Sequence, residues 1–301
     1  MLSIIICSIS PKYLETLTKN IHQTIGVEYE IIAIDNRERD WPIAKVYNYG
    51  AQQAKYSYLF FVHEDVRLHS HNWGEFIIRK LAKPDCGVIG FAGSKVRLSC
   101  YSGWYQYFDA IVSYLYQGGD NAQASFVVAN AYLDHPFEEV IVVDGLGMFV
   151  RKEVWEQCPF DDGLLTGFHC YDIDFSLQVI CADYKNYVCC SNQFLIEHFS
   201  MGNFNNNGWL SMTISLHDKW KHLLPMKLSS VIVPDRQLQK HEENISYSFL
   251  KQVLKSDLKY VDKQKVFKEF VTRSFSRKHF WYCISAFLKY MKYVSLRSKG
   301  N

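Results

Sequence analysis

Three polar residues, His63, Glu64 and Asp65, directly follow the apolar run at 58–62. Polar side chains at the end of a buried strand cost free energy unless they meet solvent or polar partners. A divalent cation held by one or two carboxylates, with a diphosphate filling its other positions, would suit this triplet. A solvated turn between a strand and a helix explains the same spacing equally well.

Two further carboxylates, Asp172 and Asp174, lie where a later helical pattern begins, after the stretch GFHCY at 167–171. Asp172 is placed to cap the start of that helix, and Asp174 in the first turn would favour the helix dipole. Capping explains one of these acids well. It does not explain why a glycine, two aromatic residues and a histidine crowd just ahead of the pair.

A histidine and an aromatic-rich segment complete the set of residues that could do chemistry. His198 follows a short apolar run at 194–196. An isolated histidine is more often structural than a ligand, and this one becomes functional only if it faces Asp65. Residues 94–139 predict an insertion with irregular or hairpin structure. Their dense aromatic content fits a second small core or a platform for an acceptor sugar equally well.

The elements that must position these residues alternate along the chain. Apolar, β-branched runs predict strands at 2–7, 30–34, 58–62 and 88–91, and amphipathic segments between them predict helices. This β-α-β-α-β-α-β series implies an α/β fold with a mostly parallel sheet and helices on both faces. Ligands of such sheets bind beyond the carboxyl ends of the strands. Asp35 and the His63 triplet both follow such ends, so a site at that edge is expected.

The rest of the chain continues the pattern and then changes character. A strand at 139–143, helices at 152–157 and 172–182, and a strand at 187–190 complete one α/β domain over residues 1–225. The chain reads as helical from about residue 210 onward. Residues 226–301 are therefore predicted to form a helical C-terminal extension.

Composition excludes some classes of protein and favours a compartment. The formal net charge of +2 gives no reason to expect nucleic acid as a partner. Nine cysteines at irregular spacing, without a CxxC pair, predict reduced thiols, no zinc site and a cytoplasmic location. The run MLSIIICSIS has no basic leader or cleavage site, and no stretch reaches the roughly 18 apolar residues of a membrane span.

The segment at 270–301 has a composition of its own. It mixes aromatic and aliphatic residues with basic ones, and no acidic residue follows Glu269. The basic residues are Arg273, Arg277, Lys278, Lys289, Lys292, Arg297 and Lys299. This composition is typical of an interfacial helix on an anionic membrane, which would place the protein peripherally on the inner face of the membrane. A helix packed on the α/β domain with a basic outer face is the alternative.

Taken together, several segments over residues 2–225 resemble the GT-A glycosyltransferases of family 2, and more closely a bacterial subgroup in which the metal motif reads His-x-Asp. The stretches VYNYGA at 46–51 and FFVHEDV at 60–66 resemble the family's A-x-N-x-G and D-x-D segments. VDGLGMFVR at 143–151 resembles the strand before its catalytic helix. Phe160-Asp161 with GFHCYDID at 167–174 resembles F-D…G-(F/Y)-x-x-(E/Y)-D-x-D, and EHFS at 197–200 resembles the closing H-x-S segment.

The resemblance implies a GT-A fold and a metal-dependent, inverting transfer of a sugar from a nucleotide-sugar donor to a hydroxyl of a glycan or lipid-linked acceptor. It implies that Asp65 and His198 bind Mn²⁺ or Mg²⁺, that Asp172 deprotonates the acceptor hydroxyl, and that Asp35 contacts the nucleotide base. The remaining residues expected at the donor are Ser8, Asn48, His63, Glu64 and Asp144. Those expected at the acceptor are Trp104, Tyr105, His169, Tyr171 and Asp174.

Two positions depart from the family pattern. His63 replaces the first acid of D-x-D, and Tyr171 replaces the usual glutamate before the base. Without a Q-x-x-R-W motif or membrane spans, a single-addition enzyme is predicted rather than a processive synthase. A sugar nucleotidyltransferase is one alternative, although the loop SISPK at 8–12 lacks the glycines that its phosphate site needs. A catalytically inactive glycan- or nucleotide-binding relative is the other: His63 leaves it open, while Asp65, Asp172 and His198 argue against it.

Overall fold

The computed structural model describes residues 1–119, 122–132, 134–200, 206–273 and 277–298. Its strands are β1 (Leu2–Ser8), β2 (Tyr29–Asp35), β3 (Tyr58–His63), β4 (Val66–Leu68), β5 (Cys86–Gly90), β6 (Ala92–Ser94), β7 (Val96–Arg97), β8 (Ile111–Gly119), β9 (Ala122–Ala129), β10 (Phe137–Val140), β11 (Val142–Val143), β12 (Gly147–Arg151), β13 (Lys185–Cys189), β14 (Ile196–His198) and β15 (Met226–Lys227). Its α-helices are α1 (Pro11–Thr24), α2 (Ile43–Gln53), α3 (Trp73–Leu81), α4 (Lys152–Gln157), α5 (Tyr171–Cys181), α6 (Asn207–Trp220), α7 (Asp235–Lys255), α8 (Tyr260–Thr272) and α9 (Arg277–Ser298).

A seven-stranded sheet in the order β10-β13-β5-β12-β3-β1-β2 forms the centre of the fold. Strands β1, β2, β3, β5 and β13 run in one direction, and only β12 and β10 run against them. The mostly parallel α/β sheet predicted from the alternating pattern is therefore confirmed.

Two apolar cores cover the faces of this sheet, because successive strand residues point to opposite sides. Ile5 of β1 packs with α2, α4 and α5 on one face. Ile4 and Ile6 pack with α1 and α3 on the other. A strand covered on both faces reads as a continuous apolar run, as β1 does.

The carboxyl ends of β1, β2 and β3 meet at one edge of the sheet. Ser8 pairs in register with Asp35, and Cys7 pairs with His63. The strands β2 and β3, which flank β1, thus deliver Asp35 and the His63 triplet to the same edge, as expected from the sequence.

A second sheet, in the order β11-β6-β8-β14-β4 with β9 against β8, lies at this edge. The hairpin β8–β9 comes from the 94–139 segment, so the predicted insertion contains a hairpin. Strand β14 pairs with β4 so that His198 lies opposite Val66. The second sheet therefore carries His198 back to the end of β3.

Three details differ from the predicted elements. Helix α5 begins at Tyr171 with Cys170 in the capping position, so Asp172 is a first-turn residue and not the cap. The single strand predicted at 139–143 is divided between the two sheets, with β10 in one and β11 in the other. The region predicted as helical from about residue 210 onward also contains a short strand, β15, between α6 and α7.

The C-terminal helices α6–α9 share an apolar core with one residue of the insertion, Tyr101. The Tyr101 hydroxyl also donates a hydrogen bond of 2.5 Å to Glu269 on α8, and His217 of α6 bonds the same carboxylate at 2.7 Å. These contacts fix the start of the insertion to the helical extension. Within the described ranges, no helix is long and apolar enough to span a membrane.

Candidate active site

His63, Asp65 and His198 form a cluster of possible metal ligands at the edge of the central sheet. One ligand atom from each lies within 4.8 Å of the others. Asp65 is central: one of its oxygens is 3.9 Å from His63 Nδ1, and the other is 3.6 Å from His198 Nε2. All three side chains are largely buried, with exposed fractions of 12 to 19%. Two imidazoles and a carboxylate are a donor set that divalent transition metals accept.

The second nitrogen of His63 lies against the hydroxyl of Tyr171. His63 Nε2 is 2.8 Å from that oxygen, and the Tyr171 hydroxyl in turn donates a hydrogen bond of 3.0 Å to the carbonyl of Gly145. Burial lowers the pKa of His63, although the charge of Asp65 opposes this effect. A lowered pKa keeps the imidazole neutral near pH 7, which is the form that binds metal ions.

Asp172 is buried at the start of α5, one residue beyond Tyr171. Its carboxylate accepts hydrogen bonds from the backbone N–H of Gly145 at 3.0 Å and of Ile173 at 2.9 Å. Burial, and secondly the charge of Asp144, raise the pKa of Asp172 to about 7. A carboxylate with a pKa near the working pH is suited to take a proton from a hydroxyl and release it again.

Glu64, between the two metal-binding candidates, points the other way. Its carboxylate accepts hydrogen bonds from the Ser8 hydroxyl at 2.7 Å and from the N–H groups of Ile9 and Ser10 at 3.0 and 2.9 Å. Glu64 and Ser8 were both expected to contact the donor. Their polar groups are instead bonded to each other, so they hold the loop after β1 in place.

Asp35 and Asn48 have different surroundings. Asp35 is exposed at the end of β2, where Arg37 hydrogen-bonds its carboxylate and lowers its pKa to about 2. Asn48 was expected at the donor. Its side-chain amide instead donates a hydrogen bond to the carbonyl of Phe160 and accepts hydrogen bonds from the N–H of Phe160 and the indole N–H of Trp155. Asn48 therefore joins α2 to the turn after α4, and the donor role predicted for it does not fit these contacts.

The start of the insertion reaches the loop 144–146 through Trp104. The indole N–H of Trp104 donates a hydrogen bond of 2.8 Å to Asp144, and the Tyr105 ring meets the Trp104 ring edge-on. Asp144 also accepts from the N–H of Leu146. The loop 144–146 thus gathers contacts from the insertion and, through Gly145, from Asp172.

His169 and Asp174, which were also expected at the acceptor, differ from each other in their surroundings. His169 is partly buried, with its Nε2 3.5 Å from Asn206. Asp174 is fully buried and bonds Lys219 at 2.8 Å and the indole of Trp220 at 2.7 Å. The acceptor role predicted for Asp174 does not fit, because these contacts direct its carboxylate into the protein.

Two residues of the site were not singled out from the sequence. Phe168 is 55% exposed, and its ring lies 5.4 Å from the ring of His63. Gly145 has no room for a side chain, since a Cβ there would lie 2.2 Å from the Tyr171 hydroxyl oxygen. The Asp-Gly pair at 144–145 was the available signal for Gly145. Phe168 could have been suspected from its place ahead of Asp172.

Comparison with known proteins adds to this geometry. A sequence model described as a glycosyltransferase-like family matches residues 3–210. GalNAc-T7, solved with UDP, GalNAc and Mn²⁺, is 10% identical with a TM-score of 0.50, over 81% of this chain and 54% of that one. TarS of S. aureus, residues 1–349 with UDP-GlcNAc, is 12% identical with a TM-score of 0.44, over 95% and 79%. No curated protein sequence matches the chain.

Proposed function

The chain belongs to the glycosyltransferase-like family and is a glycosyltransferase of the GT-A type; on this premise we propose that it transfers a sugar from a nucleoside-diphosphate sugar to a hydroxyl of a glycan or lipid-linked acceptor, with inversion. The observation that carries the proposal is the position of Gly145. Its N–H bonds the carboxylate of Asp172, and its carbonyl bonds Tyr171, which holds His63. The backbone of one residue therefore connects the proposed base with the proposed metal site.

Asp65, His63 and His198 are the residues that would hold a divalent cation. A bound cation would supply Lewis-acid stabilisation of the negative charge that develops on the leaving diphosphate. The closeness of the three ligand atoms and the pKa of His63, which burial lowers, support this assignment. GalNAc-T7, which shares the fold, was solved with UDP and Mn²⁺, so UDP-sugars and Mn²⁺ are the first to test.

Asp172 is the proposed catalytic base. The acceptor oxygen attacks the anomeric carbon while the bond from that carbon to the diphosphate oxygen breaks. The hydroxyl proton passes to Asp172, and the bonding electron pair leaves with the nucleoside diphosphate. The hydrogen bonds from Gly145 and Ile173 fix the carboxylate for this transfer, which is a positioning effect.

The donor and acceptor contacts follow from the edge of the sheet. Asp35 is exposed beside the loop after β1 and is proposed to contact the nucleotide base, with Glu64 and Ser8 shaping that loop. Asp144 orients the bound sugars together with Trp104. Tyr105, His169 and the exposed ring of Phe168 are proposed to contact the acceptor.

Helix α9 is proposed to contact an anionic membrane surface, where a lipid-linked acceptor would lie. Phe280, Trp281 and Leu288 are 64, 69 and 64% exposed. The exposed apolar side chains of α9 recur at helical spacing: Phe280, Trp281, Ile284, Phe287, Leu288 and Met291. No acidic residue follows Glu269. Apolar side chains on a basic segment bind anionic lipid by burial and by charge attraction together.

Vesicle sedimentation tests the membrane contact in the full chain. We expect the parent to sediment with vesicles that contain phosphatidylserine, less so at high salt, and the double variant W281S/L288S to stay in solution. Ile232→Ser is the matched control, because Ile232 is 95% exposed and lies outside α9. If the parent ignores anionic vesicles, the membrane contact is dropped.

A thermal-shift screen of sugar nucleotides, with and without Mn²⁺, tests the transfer itself, because a ligand that binds only the folded chain raises its melting temperature. The sugar nucleotide that raises the melting temperature of the parent is then tested with Asp172→Asn. The variant should show the same shift but no transfer. Transfer by Asp172→Asn at the parent rate would remove Asp172 from the base role.

A further inference from the structure

The two departures from the family's sequence pattern touch each other. His63 stands in place of an acid in the metal motif, and Tyr171 stands in place of the glutamate before the base. Their side chains come from β3 and α5, which are over 100 residues apart in sequence. His63 Nε2 and the Tyr171 hydroxyl oxygen are nevertheless 2.8 Å apart, a hydrogen-bond distance.

The hydrogen bonds around Tyr171 assign the proton on His63. The carbonyl oxygen of Gly145 can only accept, so the single hydroxyl proton of Tyr171 is used in the bond to Gly145. The Tyr171 oxygen then accepts from His63, which requires a proton on Nε2. A neutral imidazole protonated at Nε2 has its lone pair on Nδ1. That nitrogen is the one 3.9 Å from the Asp65 carboxylate.

We propose that Tyr171 is a positioning residue that fixes His63 as an Nδ1 ligand, so that the site takes a transition-metal ion such as Mn²⁺ in preference to Mg²⁺. This inference rests on the proposed function, which places a divalent cation at Asp65. Two imidazole nitrogens and one carboxylate oxygen suit Mn²⁺, Co²⁺ or Zn²⁺, whereas Mg²⁺ prefers oxygen ligands. Hydrogen bonds to the outer nitrogen of a ligating histidine fix its ring and its tautomer.

Gly145 makes this arrangement possible. A Cβ at this position would lie 2.2 Å from the Tyr171 oxygen and 3.2 Å from Cβ of Asp172. Only a residue without a side chain lets the backbone approach both. Tyr171 is therefore held between the Gly145 carbonyl and His63, and the residue is only 4% exposed.

The tautomer can be measured directly in the parent chain without a metal ion. Nitrogen NMR of ¹⁵N-histidine-labelled protein distinguishes a protonated from an unprotonated ring nitrogen, and His63→Gln assigns the signal. We expect a proton on Nε2 and none on Nδ1 of His63. A proton on Nδ1 overturns the inference. This measurement does not depend on the folding of a Tyr171 variant.

Calorimetric titration of the metal-free full chain with Mn²⁺ or Mg²⁺ alone tests the consequence. The parent should bind Mn²⁺ more tightly than Mg²⁺, and Tyr171→Phe should lose Mn²⁺ affinity by about tenfold or more, as for other outer-shell partners of metal ligands. His63→Asp should shift the preference toward Mg²⁺. Tyr107→Phe, which also removes a buried tyrosine hydroxyl, is the control and should bind as the parent does.

Asp65→Ala separates the two proposals. If Asp65→Ala loses Mn²⁺ binding while Tyr171→Phe keeps the parent's affinity and preference, only the role of Tyr171 fails. If Asp65→Ala binds Mn²⁺ as the parent does, the cation site in the proposed function fails as well.

Discussion

The backbone N–H of Gly145 donates a hydrogen bond of 3.0 Å to the carboxylate of Asp172. This bond joins the loop between β11 and β12 to the first turn of α5. Asp172 is buried there, and the negative charge of Asp144 disfavours its ionised form, so its pKa is raised to about 7. The same bond stabilises the ionised carboxylate and partly offsets that rise.

The transfer rate should depend on pH through Asp172. The base must be ionised to accept a proton, so the rate should rise with pH through about 7, the pKa of Asp172, and level off above it. The rate at saturating donor and acceptor, measured from pH 5.5 to 8.5, checks this. A rate that stays constant down to pH 5.5 would contradict it.

The stability of the chain should change with pH in the opposite sense. The pKa of Asp172 is about 7 in the folded chain and near 4 in the unfolded chain. Between these values the folded chain binds the extra proton, so its stability falls as pH rises from about 4 to 7. Asp172→Asn does not titrate, so it should gain stability relative to the parent over this window, on the order of a few kcal/mol. Urea denaturation at pH 5 and pH 8 measures the difference, and an equal difference at both values would contradict it.

Asp65→Ala should weaken the Mn²⁺-dependent binding of a nucleoside diphosphate, because it removes the carboxylate between His63 and His198. Calorimetry with UDP, with and without Mn²⁺, measures the change. Asp85→Ala is the control: Asp85 is a half-exposed acid ahead of β5, at the opposite edge of the sheet. If Asp65→Ala and Asp85→Ala bind UDP with the same affinity and the same dependence on Mn²⁺, the cation does not lie at Asp65.

Gly145→Ala should disrupt the site although it adds only a methyl group. The new Cβ would meet the Tyr171 hydroxyl at 2.2 Å, so Tyr171 must move away from His63. Mn²⁺ affinity and transfer should both fall. Gly163→Ala is the control, because the nearest atom to its Cβ, on Asp161, is 3.7 Å away. Parent-like metal binding by Gly145→Ala would show that Tyr171 keeps its contact.

Lys219→Ala should destabilise the fold more than any change at an exposed ion pair. Asp174 is fully buried and would lose its only charged partner among its described contacts, which costs on the order of 3–5 kcal/mol. The control Lys221→Ala removes an exposed pair with Asp218 and should cost at most about 1 kcal/mol. Chemical denaturation measures both, and equal losses would contradict the structural role of Asp174.

Much of the fold could be predicted from local pattern. The alternation of apolar runs and amphipathic segments predicted the strands β1, β2, β3 and β5 with a helix between each pair, and the structure confirms them, although it adds the short strand β4. Burial on both faces leaves a continuous apolar run in a strand, and burial on one face leaves a helical period. The same reasoning placed Asp35 and the His63 triplet at one edge, since parallel strands end together.

The contacts of each side chain could not be predicted in this way. Glu64 lies between His63 and Asp65 in sequence, yet it points away to the loop after β1. Asp172 and Asp174 are two residues apart on α5, yet Asp172 faces Gly145 while Asp174 faces Lys219 of α6. Spacing along one element does not determine which neighbour covers each face.

The amino-acid sequence by itself determined the α/β architecture, the edge of the sheet that carries the site and the residue types available there. Only the tertiary structure decided which of them meet. His198 reaches Asp65 because the second sheet folds back over more than 130 residues, and His63 meets Tyr171 because Gly145 leaves room for the ring. Such contacts depend on the packing of distant elements, which local hydrophobic periodicity does not encode.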